Sequence, residues 1–167
     1  MQFNRLALFA AVLSFAACGG SADSAPAAET TPAAAPAAAP AAAPAGDMMG
    51  AAPITGTTHE IKMLGDEKGF RFEPANLTIK TGDAIKFVAV SGFPHNVAFT
   101  ATGLSADVKK QLDMNFGTAR MAELSSNMYM MPNEGFTLSF GNIPAGKYEY
   151  NCTPHLAMGM KGVITVQ

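Results

Sequence analysis

The chain is poor in the residues that usually carry chemistry: 167 residues include two cysteines, three histidines and no tryptophan, and 14% are charged. One cysteine, Cys18, falls in an N-terminal leader, so the remainder holds Cys152 alone and can form no internal disulfide. In an oxidising compartment an unpaired thiol points to intermolecular pairing, a reactive site or a metal ligand. Long apolar runs are also scarce. The main one, residues 6–18, has twelve apolar residues in thirteen and falls short of the roughly 20 that a membrane-spanning helix needs. Charge of either sign is missing as a surplus, because ten Lys and Arg balance ten Asp and Glu after residue 53. That balance excludes a nucleic-acid footprint and makes long-range steering by net charge weak. Without tryptophan, the aromatic core material beyond residue 53 is eight Phe and three Tyr, enough for one core and too few for two.

What is present divides the chain into three expected parts: a signal segment over 1–18, an Ala/Pro-rich disordered linker over 19–53 and one folded domain over 54–167. Arg5, the apolar run and the small pair Ala16-Ala17 before Cys18 read as a secretory signal. The stretch Ser14-Phe15-Ala16-Ala17-Cys18-Gly19-Gly20 resembles a bacterial lipoprotein lipobox, with Phe15 where Leu is usual. The resemblance implies lipidation of Cys18; the alternative is an ordinary signal peptide discarded together with that cysteine. In residues 22–53, 22 of 32 positions are Ala or Pro, with Pro32, Pro36, Pro40 and Pro44 recurring every fourth residue. Each proline removes a helical donor and biases the preceding residue away from the α region, so continuous helix is not expected. As a flexible coil such a tether spans about 30–35 Å, and as polyproline about 110 Å, which suits a domain reaching from a lipid surface to a membrane-bound partner.

The domain is punctuated by short alternating or β-branched runs: 60–64, 76–80, 84–90, 97–99, 136–140, 147–152 and 162–166. Their spacing, with turn signals at Lys80-Thr81-Gly82-Asp83 and Pro144-Ala145-Gly146-Lys147, predicts an all-β sandwich of about seven to eight strands. The exception is 105–131, a long connection in which Ser105 is placed to cap a helix over 106–112 and residues 118–124 read as a second short helix or turn. Alternation along 147–152 puts Tyr148, Tyr150 and Cys152 on the core face.

Beyond that strand the chain reads Cys152-Thr153-Pro154-His155-Leu156-Ala157-Met158-Gly159-Met160. A thiolate, an imidazole and a thioether at C-x2-H-x4-M spacing form a soft donor set that suits copper in either oxidation state. A mononuclear blue-copper site needs a second imidazole. His59 lies at the edge of the first strand, whereas His95 sits in the turn Gly92-Phe93-Pro94-His95-Asn96, and we take His95.

From about residue 58 to 167 the chain resembles a plastocyanin. The resemblance rests on Leu64-Gly65, Phe72-Glu73-Pro74, Thr81-Gly82-Asp83, Gly92 to Asn96, Tyr148-Glu149-Tyr150, Cys152 to Met160 and Gly162 to Val166, all in family order. The ligand loop is also similar to that of pseudoazurins. The resemblance implies a cupredoxin-like Greek-key β-sandwich, one copper ion and one-electron transfer rather than enzymatic turnover. By it His95, Cys152 and His155 are equatorial ligands and Met160 is axial, with Met158 the competitor for the axial position. It also implies that Asn96 clamps the two ligand loops and gives its N–H to the Cys152 sulfur, while Pro154 withholds an N–H from that sulfur. Phe70, Gly92, Phe93, Pro94, Leu156 and Ala157 would surround the electron port at the edge of His155. Asn151 stands where plastocyanins often carry a surface Tyr, which puts a second port there in doubt.

Two functions remain open on the sequence. One is an exported electron carrier, lipid-anchored to a bacterial membrane, serving membrane-bound or periplasmic redox proteins such as a cytochrome, oxidase or reaction centre. The other is a copper chaperone or scavenger using Met114, Met121, Met128, Met130 and Met131 of the long connection as soft Cu(I) donors; the plainer reading of those residues is gap-filling in a helical flap. A copper nitrite reductase needs a second copper and more chain.

Overall fold

The computed structural model describes residues 50–167; the leader, Cys18 and most of the Ala-Pro tether lie outside the described residues. Ten strands form two sheets. One sheet is ordered β2 (Gly69–Glu73), β1 (Thr58–Asp66), β4 (Ala84–Ala89), β8 (Gly135–Ser139), and the other β3 (Asn76–Ile79), β10 (Lys161–Val166), β9 (Gly146–Asn151), β5 (Ala98–Phe99), β7 (Ser125–Ser126), β6 (Arg120–Ala122). β1 with β4 and β3 with β10 run parallel and the other pairs antiparallel. Parallel neighbours that are not consecutive in sequence require crossing connections, which is the Greek-key sandwich expected.

Three elements differ from the sequence expectation and raise the strand count. Gly69–Glu73 was not anticipated; it pairs back on β1 with Gly65 opposite Phe70. The 118–124 stretch is not a helix: after a single 3-10 turn at Gly117–Ala119 it becomes β6 and pairs with β7. Its composition favours helix locally, but the edge of β7 supplies a partner that only the folded state provides. The helix α1 (Ala106–Asn115) forms where expected, with Ser105 Oγ accepting the Val108 N–H, and runs three residues longer than the pattern suggested.

The two sheets meet over Phe72, Phe87, Phe99, Phe140, Tyr148 and Tyr150, all buried. Tyr150 anchors this layer, with Phe72 at 4.6 Å and Phe87 and Phe99 at 5.8 Å between ring centroids. Burying each such ring contributes about 1.5–3 kcal/mol. Both tyrosine hydroxyls reach carbonyls, Tyr148 that of Pro144 and Tyr150 that of Ala75, so neither leaves a buried donor unmade. The alternation expected of β9 holds: Tyr148, Tyr150 and Cys152 are buried and Lys147 and Glu149 exposed. Asn115, at the end of α1, donates to the carbonyls of Ser139 and Gly141 and accepts the N–H of buried Ala52. Ala52, ahead of Ile54, is therefore packed against α1.

Candidate metal centre

His95 follows a turn whose geometry depends on two facing glycines. Gly92 has φ +76°, and a Cβ built on it would lie 2.4 Å from Cα of Gly65. Without side chains at both positions, the end of β1 and the 91–95 turn come into backbone contact, and the turn is pinned where His95 leaves it. His95 then pairs in an antiparallel bridge with Tyr129, its N–H donating to the Tyr129 carbonyl at 3.0 Å and its carbonyl accepting the Tyr129 N–H at 2.8 Å. Cys152 leaves the end of β9 pointing inward, and the next residues wind into a 3-10 helix, Thr153–Met158, that ends at Gly159 in the left-handed region (φ +83°). This reversal brings Met160 beside Cys152, whose N–H donates to the Met160 carbonyl at 3.0 Å.

The result is a buried cluster in which donor atoms of His95, Cys152 and His155 all lie within 4.8 Å of one another. Cys152 Sγ is 3.7 Å from Nδ1 of His95 and 3.4 Å from Nδ1 of His155. Nε2 of His95 lies 2.7 Å from the Ser91 carbonyl. A carbonyl only accepts, so Nε2 carries the proton and the unprotonated Nδ1 faces the sulfur, as a metal ligand must. Burial lowers the pKa of His95, against the Ser91 carbonyl, which raises it. Burial also lowers that of His155, helped by the neighbouring His95. Both shifts favour the neutral, ligating imidazole. Burial pushes the Cys152 thiol up, opposed by the backbone N–H groups of Asn96 and His155. Binding a metal as thiolate therefore displaces a proton.

Of the two candidate axial methionines, Met160 is completely buried and packs in the same core cluster as Cys152, whereas Met158 is 57% exposed. His59 is elsewhere: its Nε2 is 3.0 Å from Asp83 Oδ2. Asn96 ties the loops from both ends of its amide. Its Oδ1 accepts the Thr153 N–H at 2.7 Å, and its Nδ2 donates to the hydroxyls of Thr153 and Ser125, each at 3.1 Å. Pro154 has no N–H to offer the sulfur, and the backbone N–H groups that act against the raised pKa of the Cys152 thiol are those of Asn96 and His155.

The expected port residues gather at the same end. Phe70 is half-buried and stacks on His155 with centroids 3.8 Å apart and planes 17° from parallel, and Phe93 meets His95 edge-on at 6.0 Å. Gly92, Phe93 and Pro94 are half-buried, while Leu156 and Ala157 are exposed. His155 reaches solvent over 5% of its surface and His95 over none. The sequence reading missed Ser91, Ser125 and Tyr129. A backbone carbonyl leaves no residue-type signature, and two of these three act at least partly through backbone groups.

A thiol, two neutral imidazoles and a buried thioether are the donors that copper takes in both oxidation states. The family model described as copper binding proteins, plastocyanin/azurin family, matches residues 59–167. The chain belongs to the plastocyanin/azurin family of copper-binding proteins. Its cofactor is one copper ion. Among curated relatives, a chloroplastic plastocyanin of Physcomitrium patens is 36% identical over 107 residues, covering 64% of this chain and 56% of that protein. The plastocyanin of Nostoc punctiforme is 37% identical over 111 residues, covering 66% of this chain and 74% of the relative. Among solved structures, a mutant plastocyanin of fern superposes with a TM-score of 0.51 at 30% identity, over 65% of this chain and 100% of that one. This likeness confirms the cupredoxin sandwich.

Proposed function

We propose that this plastocyanin-family domain is a one-electron carrier with a mononuclear type 1 copper site, and that it is not an enzyme. The observation that carries the reading is the Ser91 carbonyl on His95 Nε2, which turns the free Nδ1 toward Cys152 Sγ beside Nδ1 of His155. In this reading His95, Cys152 and His155 are the equatorial ligands and Met160 the axial one. Copper supplies the Cu(II)/Cu(I) couple, and the chain supplies a donor geometry that suits both states. Asn96 holds the ligand loops together, and the Gly65–Gly92 contact fixes the turn before His95. A frame tied in this way resists rearrangement when charge changes, which keeps electron transfer fast.

Electrons enter and leave through the end where Phe70, Gly92, Phe93, Pro94, Leu156 and Ala157 surround His155. A small apolar rim suits brief complexes with redox partners. In the same reading the leader exports the protein to the periplasm or cell surface, Cys18 carries a lipid anchor and the Ala-Pro segment gives the domain reach toward a membrane-bound cytochrome, oxidase or reaction centre. Mixing the reduced, copper-loaded protein with a one-electron acceptor should transfer one electron per copper, and absence of transfer would defeat the reading. Cys18→Ser should move the protein from the membrane to the soluble fraction.

A further inference from the structure

Methionine is distributed on this domain in a way that core filling does not explain. Among the described residues, five of the eight large apolar side chains that are exposed are methionines: Met121, Met128, Met130, Met131 and Met158. Of the five in the long connection, only Met114 is even half-buried, and it packs toward Gly50. A thioether used to fill gaps belongs inside, and exposed apolar side chains point to a contact or a ligand where they are grouped rather than scattered singly.

Three of them lie on one short segment joined to the metal centre. Tyr129, bridged by its backbone to His95, turns its ring inward and stacks on Phe136 at 5.7 Å. Met128 and Met130 flank Tyr129 in sequence, and where the backbone is extended, side chains two residues apart share a face opposite the one between them. Met128 is 36% exposed, Met130 59% and Met131 61%. The turn that follows is braced. Glu134 Oε2 accepts the N–H groups of Met130 at 2.7 Å and Met131 at 2.9 Å, and Asn133 and Glu134 pair with both backbone groups of Ala89. Three exposed thioethers within four residues are thus carried on a braced segment, beside the Glu134 carboxylate, which favours a cation.

We propose that Met128, Met130 and Met131 form a second site, specific for Cu(I), at the His95 end of the domain. Neutral sulfur donors select the soft monovalent ion and bind Cu(II) or zinc poorly. The step is ligand exchange alone: Cu(I) leaves its carrier for the thioether sulfurs, with no electron or proton transferred. The site does not rest on electron carriage by the buried centre.

The test is a competition titration of the copper-loaded, reduced protein against a chromophoric Cu(I) chelator, comparing the wild type with the triple variant Met128→Leu, Met130→Leu, Met131→Leu. Leucine keeps size and apolarity, so the fold is retained, which the visible band on reoxidation verifies. The wild type should bind one Cu(I) beyond the first, and the triple variant should lose that equivalent alone. Cys152→Ser should weaken the first equivalent and leave the second, which separates failure of this proposal from failure of the electron-carrier reading. A wild type holding a single Cu(I), or a triple variant holding as much as the wild type, would overturn the proposal. So would an unchanged copper content with slowed electron exchange, which would make the surface a protein contact.

Discussion

Asn96 and Thr153 lie 57 residues apart in sequence and hold each other by two hydrogen bonds, Thr153 N–H to Asn96 Oδ1 and Asn96 Nδ2 to Thr153 Oγ1. Each belongs to the residue next to a proposed ligand, so the pair fixes the distance between the His95 turn and the Cys152 loop. Asn96→Ala removes both bonds and the one to Ser125, and leaves the Thr153 N–H unpartnered. Its expected cost is about 2–3 kcal/mol, at roughly 1 kcal/mol per bond, with a shifted reduction potential and a changed visible spectrum. Thermal unfolding and voltammetry of the copper-loaded variant check it; unchanged values in both would show that the clamp does nothing.

Gly92→Ala meets two obstacles, a left-handed φ of +76° and the Gly65 backbone at 2.4 Å. It should destabilise the domain by about 2 kcal/mol or more and weaken copper binding, because Ser91 and His95 leave the same turn. Denaturant unfolding with and without copper measures both effects. Gly69→Ala, at φ +92° but with no neighbour within 4 Å, is the control for backbone strain alone.

Met160→Gln should lower the reduction potential, since an amide oxygen in place of the axial thioether favours the harder Cu(II). Met158→Gln should do little, as its side chain is exposed. Voltammetry of the two variants distinguishes them, and the reverse order would reassign the axial ligand.

Asp83 ties the start of the domain together through the N–H groups of Thr57 and Lys80 and the His59 ring. Burial raises its pKa, but the Lys80 N–H, His59 and the Thr57 N–H together outweigh burial and hold it below the ordinary 3.8. A depressed carboxylate contributes stability above its unfolded pKa and loses that contribution as pH falls through the folded one. The stability gap between wild type and Asp83→Asn should therefore be full at neutral pH, about 2 kcal/mol for a buried charged acceptor, and shrink as pH drops below 3.8. A gap independent of pH would contradict the assignment.

The parts of this molecule legible in sequence are those encoded by local residue type. Alternation placed Tyr148, Tyr150 and Cys152 on the core face, and Ser105 marked the start of α1. The Cys152-to-Met160 loop and the Phe93-Pro94-His95-Asn96 turn carried the centre, because ligand chemistry restricts which side chains can serve. β6 was not legible, since Arg120–Ala122 becomes a strand only by pairing with β7, a choice made by tertiary structure. The Ser91 carbonyl and the Tyr129 bridge were equally hidden, because any residue presents the same backbone groups. The methionines of the long connection were visible, but whether they were inside or outside the core was not.

The central claim is that Cys152 binds a single copper ion as thiolate in the company of His95 and His155. Titrating the apoprotein with Cu(II) while recording the visible spectrum tests it most directly. The account predicts an intense charge-transfer band that saturates at one equivalent, bleaches reversibly on reduction and is missing from Cys152→Ser. A band that never forms, or one that survives in Cys152→Ser, would contradict it.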